Sequence, residues 1–275
     1  CDRAAGSVTK SHQVAGWDDF PLARWCSETL GRPATIGNDC DAAALAEARL
    51  GAGQGAGSVF YVTVGTGIGG GLVVDGKLFG TGRPAIAEIG HLRPGLLADR
   101  PDRTVESLAA GPGIAAAAVA RMTGVARPLD SLGSLAVHST RAQVQRRLAD
   151  VQQTEAEYIA DLLERSGGDS EQLTAKSVAQ AAAEGNEIAR EVLAHACQAL
   201  GWGIAQVITL VSPEVVVVGG GVSLIGESFF FAPLRGEVER YVFPPLAGSY
   251  RLVPAALGEL AVVHGALALA GEREA

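Results

Sequence analysis

Ser58-Val-Phe-Tyr-Val-Thr-Val64 runs directly into Gly65-Thr-Gly-Ile-Gly-Gly-Gly71, followed by Leu72-Val-Val74, Asp75-Gly76 and Lys77-Leu-Phe79. The first run is β-branched, aromatic and mostly apolar, as a central strand is. Asp-Gly between apolar runs predicts a hairpin turn. Gly65, Gly67 and Gly70 satisfy GxGxxG. The dinucleotide form of that pattern needs a helix after the loop, so that the helix N-terminus meets a pyrophosphate. A hairpin follows here instead. The unit therefore reads as strand, glycine loop over 65–71, strand. Such a loop binds phosphate through successive backbone N–H groups, and Thr63 and Thr66 add hydroxyls at the same place. The competing reading is a tight hairpin with no ligand.

Upstream, Pro21–Thr29 has a short helical pattern, and Pro33-Ala-Thr-Ile36 is a short strand candidate. Asn38-Asp39 lies between that candidate and a strong helix over Asp41–Leu50. These types cap helices, but an Asp at a strand end facing a cleft also suits a general base. Glu88 and His91 stand three apart, close enough to accept from and donate to vicinal hydroxyls, and equally close enough to be structural. Downstream come a helix over Val105–Ala120 and a charge-rich stretch, Arg141–Glu171, that reads as solvated helices. Helices over Ala175–Glu184 and Glu187–Leu210 end at Ser212-Pro213. The four valines Val215–Val218 form a strand pointing at Gly219-Gly-Gly221. Leu260–Ala270 is an apolar helix expected to be largely buried. Strands followed by glycine loops and helices predict an α/β fold.

Composition narrows the function classes. The 275 residues are 48% hydrophobic and 19% charged, which excludes disorder as the main state. A net charge of −8 supplies no basic field for nonspecific nucleic-acid binding. The longest apolar candidate for a membrane span, Val207–Ile225, is broken by polar residues, Pro213 and glycines. Asp2, Arg3 and Lys10 open the chain without the apolar core of a signal peptide. Cys1, Cys26, Cys40 and Cys197 share no CxxC spacing, so neither zinc nor a disulfide frame is expected, and a reducing cytoplasm is.

Six ordered blocks carry a resemblance. They are Asn38–Glu47, Phe60–Gly71, Glu88–His91, Val105-Glu106, Pro213–Val222 and Leu257–Ala266. With them the chain resembles the ROK family of sugar kinases and sugar-responsive repressors. The resemblance implies an actin-like ATPase/sugar kinase (ribonuclease H-like) fold of two lobes. Residues 1–37 would be a remnant of the small lobe, joined by the helix at 260–275, and 38–259 the large lobe. It implies a glucokinase-like transfer of the ATP γ-phosphate to a hexose hydroxyl, with Mg²⁺ on the phosphates. Asp39 matches the catalytic base. Asn38, Glu88, His91 and Glu106 match sugar-binding positions. Thr66 and Gly67 match a phosphate loop, and Gly219, Gly220 and Gly221 the turn beside the nucleotide. A homodimer in the cytoplasm is implied, with no membrane and no nucleic-acid partner for this segment.

Two departures qualify the resemblance. The family's CxCGxxGCxE element, which with the EIGH histidine holds zinc, is absent between His91 and Glu106, so no zinc is expected and His91 is left for sugar. The family's opening Asp-x-Gly-Gly-Thr loop is also absent. The resemblance thus implies an N-terminally truncated chain with little or no activity by itself. The alternatives are a repressor whose DNA-binding domain lies outside this chain and an N-acylamino-sugar kinase.

Overall fold

The computed structural model describes residues 1–3, 5–9, 14–80, 83, 86–95, 102–124 and 153–271. Residues 141–152 of the charge-rich stretch, 96–101 between His91 and Glu106, and 272–275 of the helix expected over 260–275 lie outside the described residues. The fold is built on a five-stranded sheet in the order β3-β2-β1-β4-β5. The strands are β1 (Ser58–Val64), β2 (Ile68–Val74), β3 (Lys77–Leu78), β4 (Val215–Gly219) and β5 (Arg251–Pro254). β1, β2 and β3 form an antiparallel meander, while β4 pairs parallel with both β1 and β5.

Strand alternation divides the core into two layers. Val59 and Tyr61 of β1, with Val215 and Val217 of β4, face helices α2 (Asp39–Leu50) and α9 (Ala261–Gly271). Phe60, Val62 and Val64, with Val216 and Val218, face the larger helical layer. That layer contains α3 (Val105–Ala109), α4 (Gly111–Thr123), α5 (Gln153–Arg165), α6 (Ala175–Ala183), α7 (Glu187–Val211) and α8 (Ala232–Tyr241). Another helix, α1 (Leu22–Leu30), has no buried residue.

α7 is long and apolar enough to cross a membrane, a candidate the stretch 207–225 had obscured. Its residues are instead the centre of the helical layer, with Leu200, Ile204 and Ile208 fully buried. Gly201 and Gly203 let α8 and α3 press against it: a Cβ at Gly201 would lie 2.6 Å from Glu237 Cβ.

Four expectations change. The glycine loop is only Gly65-Thr66-Gly67, because β2 begins at Ile68 and Gly69–Gly71 pair with β1. Pro33–Ile36 forms no strand. The helix expected over 105–120 is two, because Gly111 N–H donates to Gly65 O at 2.8 Å and Pro112 opens α4. α9 is not largely buried: Ala261, Gly265 and Leu269 pack inward, while Val262, Val263 and Leu267 are exposed.

A buried carboxylate joins the two helices of the thinner layer. Glu47 of α2 is fully buried. Its Oε2 accepts from Ala52 N–H at 2.8 Å and from Ala256 N–H at 3.2 Å, and its Oε1 accepts from Leu257 N–H at 2.8 Å. Three backbone donors satisfy a charge that would otherwise be costly to bury.

Candidate active site

The chain leaves β1 toward β2 on one side and leaves β4 toward β5 on the other. The loops after these two parallel neighbours therefore diverge at their carboxyl ends and open a crevice, the place where open α/β sheets bind ligands. Gly65-Thr66-Gly67 follows β1, and Gly220-Gly221 follows β4. Gly65 N–H closes the first turn on Gly67 O at 2.9 Å. Gly220 has φ +89° and lies so close to Val64 that a Cβ would come within 2.5 Å of its carbonyl oxygen. Only glycine meets both demands at no cost.

A cleft of about 1140 Å³ lies beyond these turns. Thr66 and Gly221 line it, whereas Gly67, Gly219 and Gly220 stand behind the lining. One wall is α4 with Ala115, Ala116 and Val119, and the facing wall is α6 with Ala175, Ala179 and Ala183. Small side chains spaced by four along each helix leave a slot with apolar walls. These lining residues were not anticipated. Their signal was present in the four-residue alanine spacing and in the Thr174-x-x-Ser177 capping pair that starts α6.

On the other side of the loop, Asn38 caps α2. Its Oδ1 accepts from Cys40 N–H at 2.8 Å and Asp41 N–H at 3.2 Å. Asp39 is the first helical residue and exposed, and its Oδ1 also accepts from Cys40 N–H, at 2.9 Å. The helix reaches the sheet here because β2 has no side chains in its way. A Cβ at Gly69 would meet Cys40 Sγ at 2.5 Å, and one at Gly71 would meet Ala44 Cβ at 2.7 Å. Burial pushes the Cys40 thiol well above the usual range, and the nearby charges of Asp39 and Glu88 push it further. The thiol is thus a neutral neighbour of Asp39. Burial also raises Asp41, against the opposing effect of Arg3.

Glu88 is half-buried and precedes the short turn Ile89–His91 without a side-chain capping bond to it. His91 N–H donates to Glu88 O at 3.1 Å, while the His91 side chain is exposed. Glu106, on α3, does something its expected role did not include: its Oε2 accepts from Ile68 N–H at 2.7 Å. A Cβ at Gly67 would also lie 2.7 Å from that oxygen. Glu106 therefore fixes the end of the glycine turn. Tyr61 approaches Gly219 from beneath: a Cβ there would lie 2.7 Å from its hydroxyl. Among the described residues, no three His, Cys, Asp or Glu side chains converge on one point as a metal site requires.

By its likeness to solved sugar-kinase structures, this helix-covered sheet, with glycine turns and carboxylates where its chain direction splits, has the actin-like ATPase fold. Within that fold class the chain belongs to the ROK family, whose model matches residues 2–273. It is 30% identical over 273 residues to a glucokinase of Thermotoga maritima, a match spanning 99% of this chain and 76% of the relative. A crystal structure of a ROK family glucokinase from Streptomyces griseus, in complex with glucose and AMPPNP, superposes with a TM-score of 0.72. That chain is 28% identical, with 98% of this chain and 78% of the other covered. A ROK family transcriptional regulator, a homologue of the E. coli MLC protein, shares the fold at a TM-score of 0.72 and 22% identity, over 96% of this chain and 58% of the other.

Proposed function

We propose that the protein is an ATP-dependent hexose kinase of glucokinase type. The observation that carries this reading is the position of Gly65–Gly67, with the cleft on one side and Asp39, Glu88 and Glu106 gathered on the other. The cleft takes the nucleotide, with its flat base between the alanine walls of α4 and α6. The Thr66 hydroxyl and the amides of Thr66 and Gly67 hold the phosphates, and the Gly219–Gly221 turn lies beside the nucleotide. Mg²⁺ entering with the nucleotide would supply charge neutralisation at the transferring group. Asn38, Asp39, Glu88, His91 and Glu106 hold the sugar, because carboxylates, amides and imidazoles bond hydroxyls in fixed directions.

In the transfer, the sugar hydroxyl oxygen forms a bond to the γ-phosphorus as the bond to the β-phosphate oxygen breaks. The hydroxyl proton passes to Asp39, and ADP leaves. Asp39 Oδ1 is held by Cys40 N–H, which aims the carboxylate. Asp39 also separates this reading from a sugar-responsive repressor, which binds sugar without needing a base. An N-acylamino-sugar kinase uses the same chemistry on another acceptor. The reading includes the division into lobes at residue 38, a homodimer, a cytoplasmic location, and no zinc, membrane or nucleic-acid partner.

The test is ATP-dependent phosphorylation of glucose, mannose, fructose, N-acetylglucosamine and N-acetylmannosamine, with metal analysis of the same sample. Asp39→Asn should lower turnover about 10²–10⁴-fold, the span of general-base catalysis, while leaving the protein folded. Near-full turnover in that variant removes Asp39 as the base. Stoichiometric zinc contradicts the metal-free reading.

A further inference from the structure

One charged residue of the cleft has no part in the site as described so far. Lys176 is exposed and lines the cleft from the first turn of α6. None of the ion pairs among the described residues uses it. Its place along the cleft follows from its neighbours. Gly111 N–H donates to Gly65 O, and a Cβ at Gly111 would lie 3.2 Å from that oxygen and 3.9 Å from both Ala175 Cβ and Val222 Cγ2. The residue just before Lys176 is thus packed at the glycine-loop end of the slot. Ala179 and Ala183 continue along the wall away from it. The other charged side chain of the lining, Glu171, lies in the turn ahead of α6. Among the described residues the lining therefore carries one charge of each sign, and the cation is the one whose position is tied to the loop.

We propose that Lys176 is a phosphate-binding residue of the donor cleft, a mobile point charge that selects a nucleoside triphosphate over less phosphorylated nucleosides. A lysine ammonium suits this role because it meets phosphate oxygens from many directions. The assignment rests on the nucleotide reading given above. It adds a determinant of donor choice that the glycine turns do not supply, since backbone amides carry no net charge.

The test is equilibrium binding of adenosine, AMP, ADP and ATP to the protein and to Lys176→Met and Lys176→Arg, with thermal melts to check folding. Lys176→Met should weaken ATP binding about tenfold, leave adenosine within about twofold, and flatten the loss of affinity with added salt. Lys176→Arg should retain most of the preference for ATP. Equal weakening of adenosine and ATP would show a role in shaping the slot and overturn the proposal, as would unchanged ATP binding in Lys176→Met. If the unsubstituted protein binds none of the four, the nucleotide reading falls, and this proposal with it. If it binds them and the variants match it, only the role of Lys176 falls.

Discussion

Tyr61 shows how much a single side chain reports about this site. Its hydroxyl sits under α2 beside Gly219, and burial pushes its ionisation up to about 12, against the lowering effect of a bond to Thr63. The neutral form is favoured in the fold, so the stability this group contributes is complete below the ordinary tyrosine value near pH 10. It is lost as pH rises through about 12. Tyr250 moves in the same direction, also through burial. Of the four tyrosines, one should therefore ionise near pH 12 in an ultraviolet titration, and Tyr61→Phe should abolish that step. Four tyrosines titrating together near pH 10 would contradict the buried placement. At this scale the sequence was informative where chemistry is local. Asn38 was legible as a cap because its type and position specify the bond. Glu106 was legible only through the resemblance, and its bond to a turn 38 residues away was not; Lys176 was not legible, since it lines the cleft beside a loop from a different strand.

At the scale of elements, the glycine run is where pattern and structure part. Read alone, Gly69-Gly-Gly71 belongs to a loop. In the fold it is strand, because pairing with β1 continues through it and α2 rests on its bare surface. No local propensity reports the approach of a helix from elsewhere in the chain. The close contact makes a specific prediction. Gly69→Ala should destabilise the protein by about 1–3 kcal/mol through overpacking against Cys40 Sγ, measured by urea unfolding. Cys40→Ala removes the obstructing sulfur, so the double variant Gly69→Ala/Cys40→Ala should recover most of that loss. Simple additivity of the two changes would mean that the helix does not rest where described. The break between α3 and α4 was missed for a related reason. Part of its cause is distant, the carbonyl Gly65 O bonded by Gly111 N–H, while the local part, Pro112 opening α4, stood in the sequence.

Across the whole molecule, the layered plan was legible because the valine-rich strands alternate between two covered faces, as central strands must. The identity of the covers was less so. α9 looked like core by composition, yet it presents Val262, Val263 and Leu267 to the outside and packs on α2 through small residues. What binds it in place is partly polar. The carboxylate of Glu47 gathers the amide of Ala52, at the end of the helix that starts with Asp39, and the amides of Ala256 and Leu257, just ahead of α9. These amides are some 200 residues apart in sequence, yet one buried charge depends on all three. Exposing one donor leaves the charge short of partners, so opening of one segment favours opening of the other. In native-state hydrogen exchange, the Ala52, Ala256 and Leu257 amides should share one opening free energy and respond together to low denaturant. In Glu47→Gln, whose Nε2 cannot accept, the amide or amides facing that nitrogen should exchange apart from the rest. Separate exchange in the unsubstituted protein would refute the coupling. On this coupling, α9 and the helix that carries Asp39 open as a single unit of local unfolding.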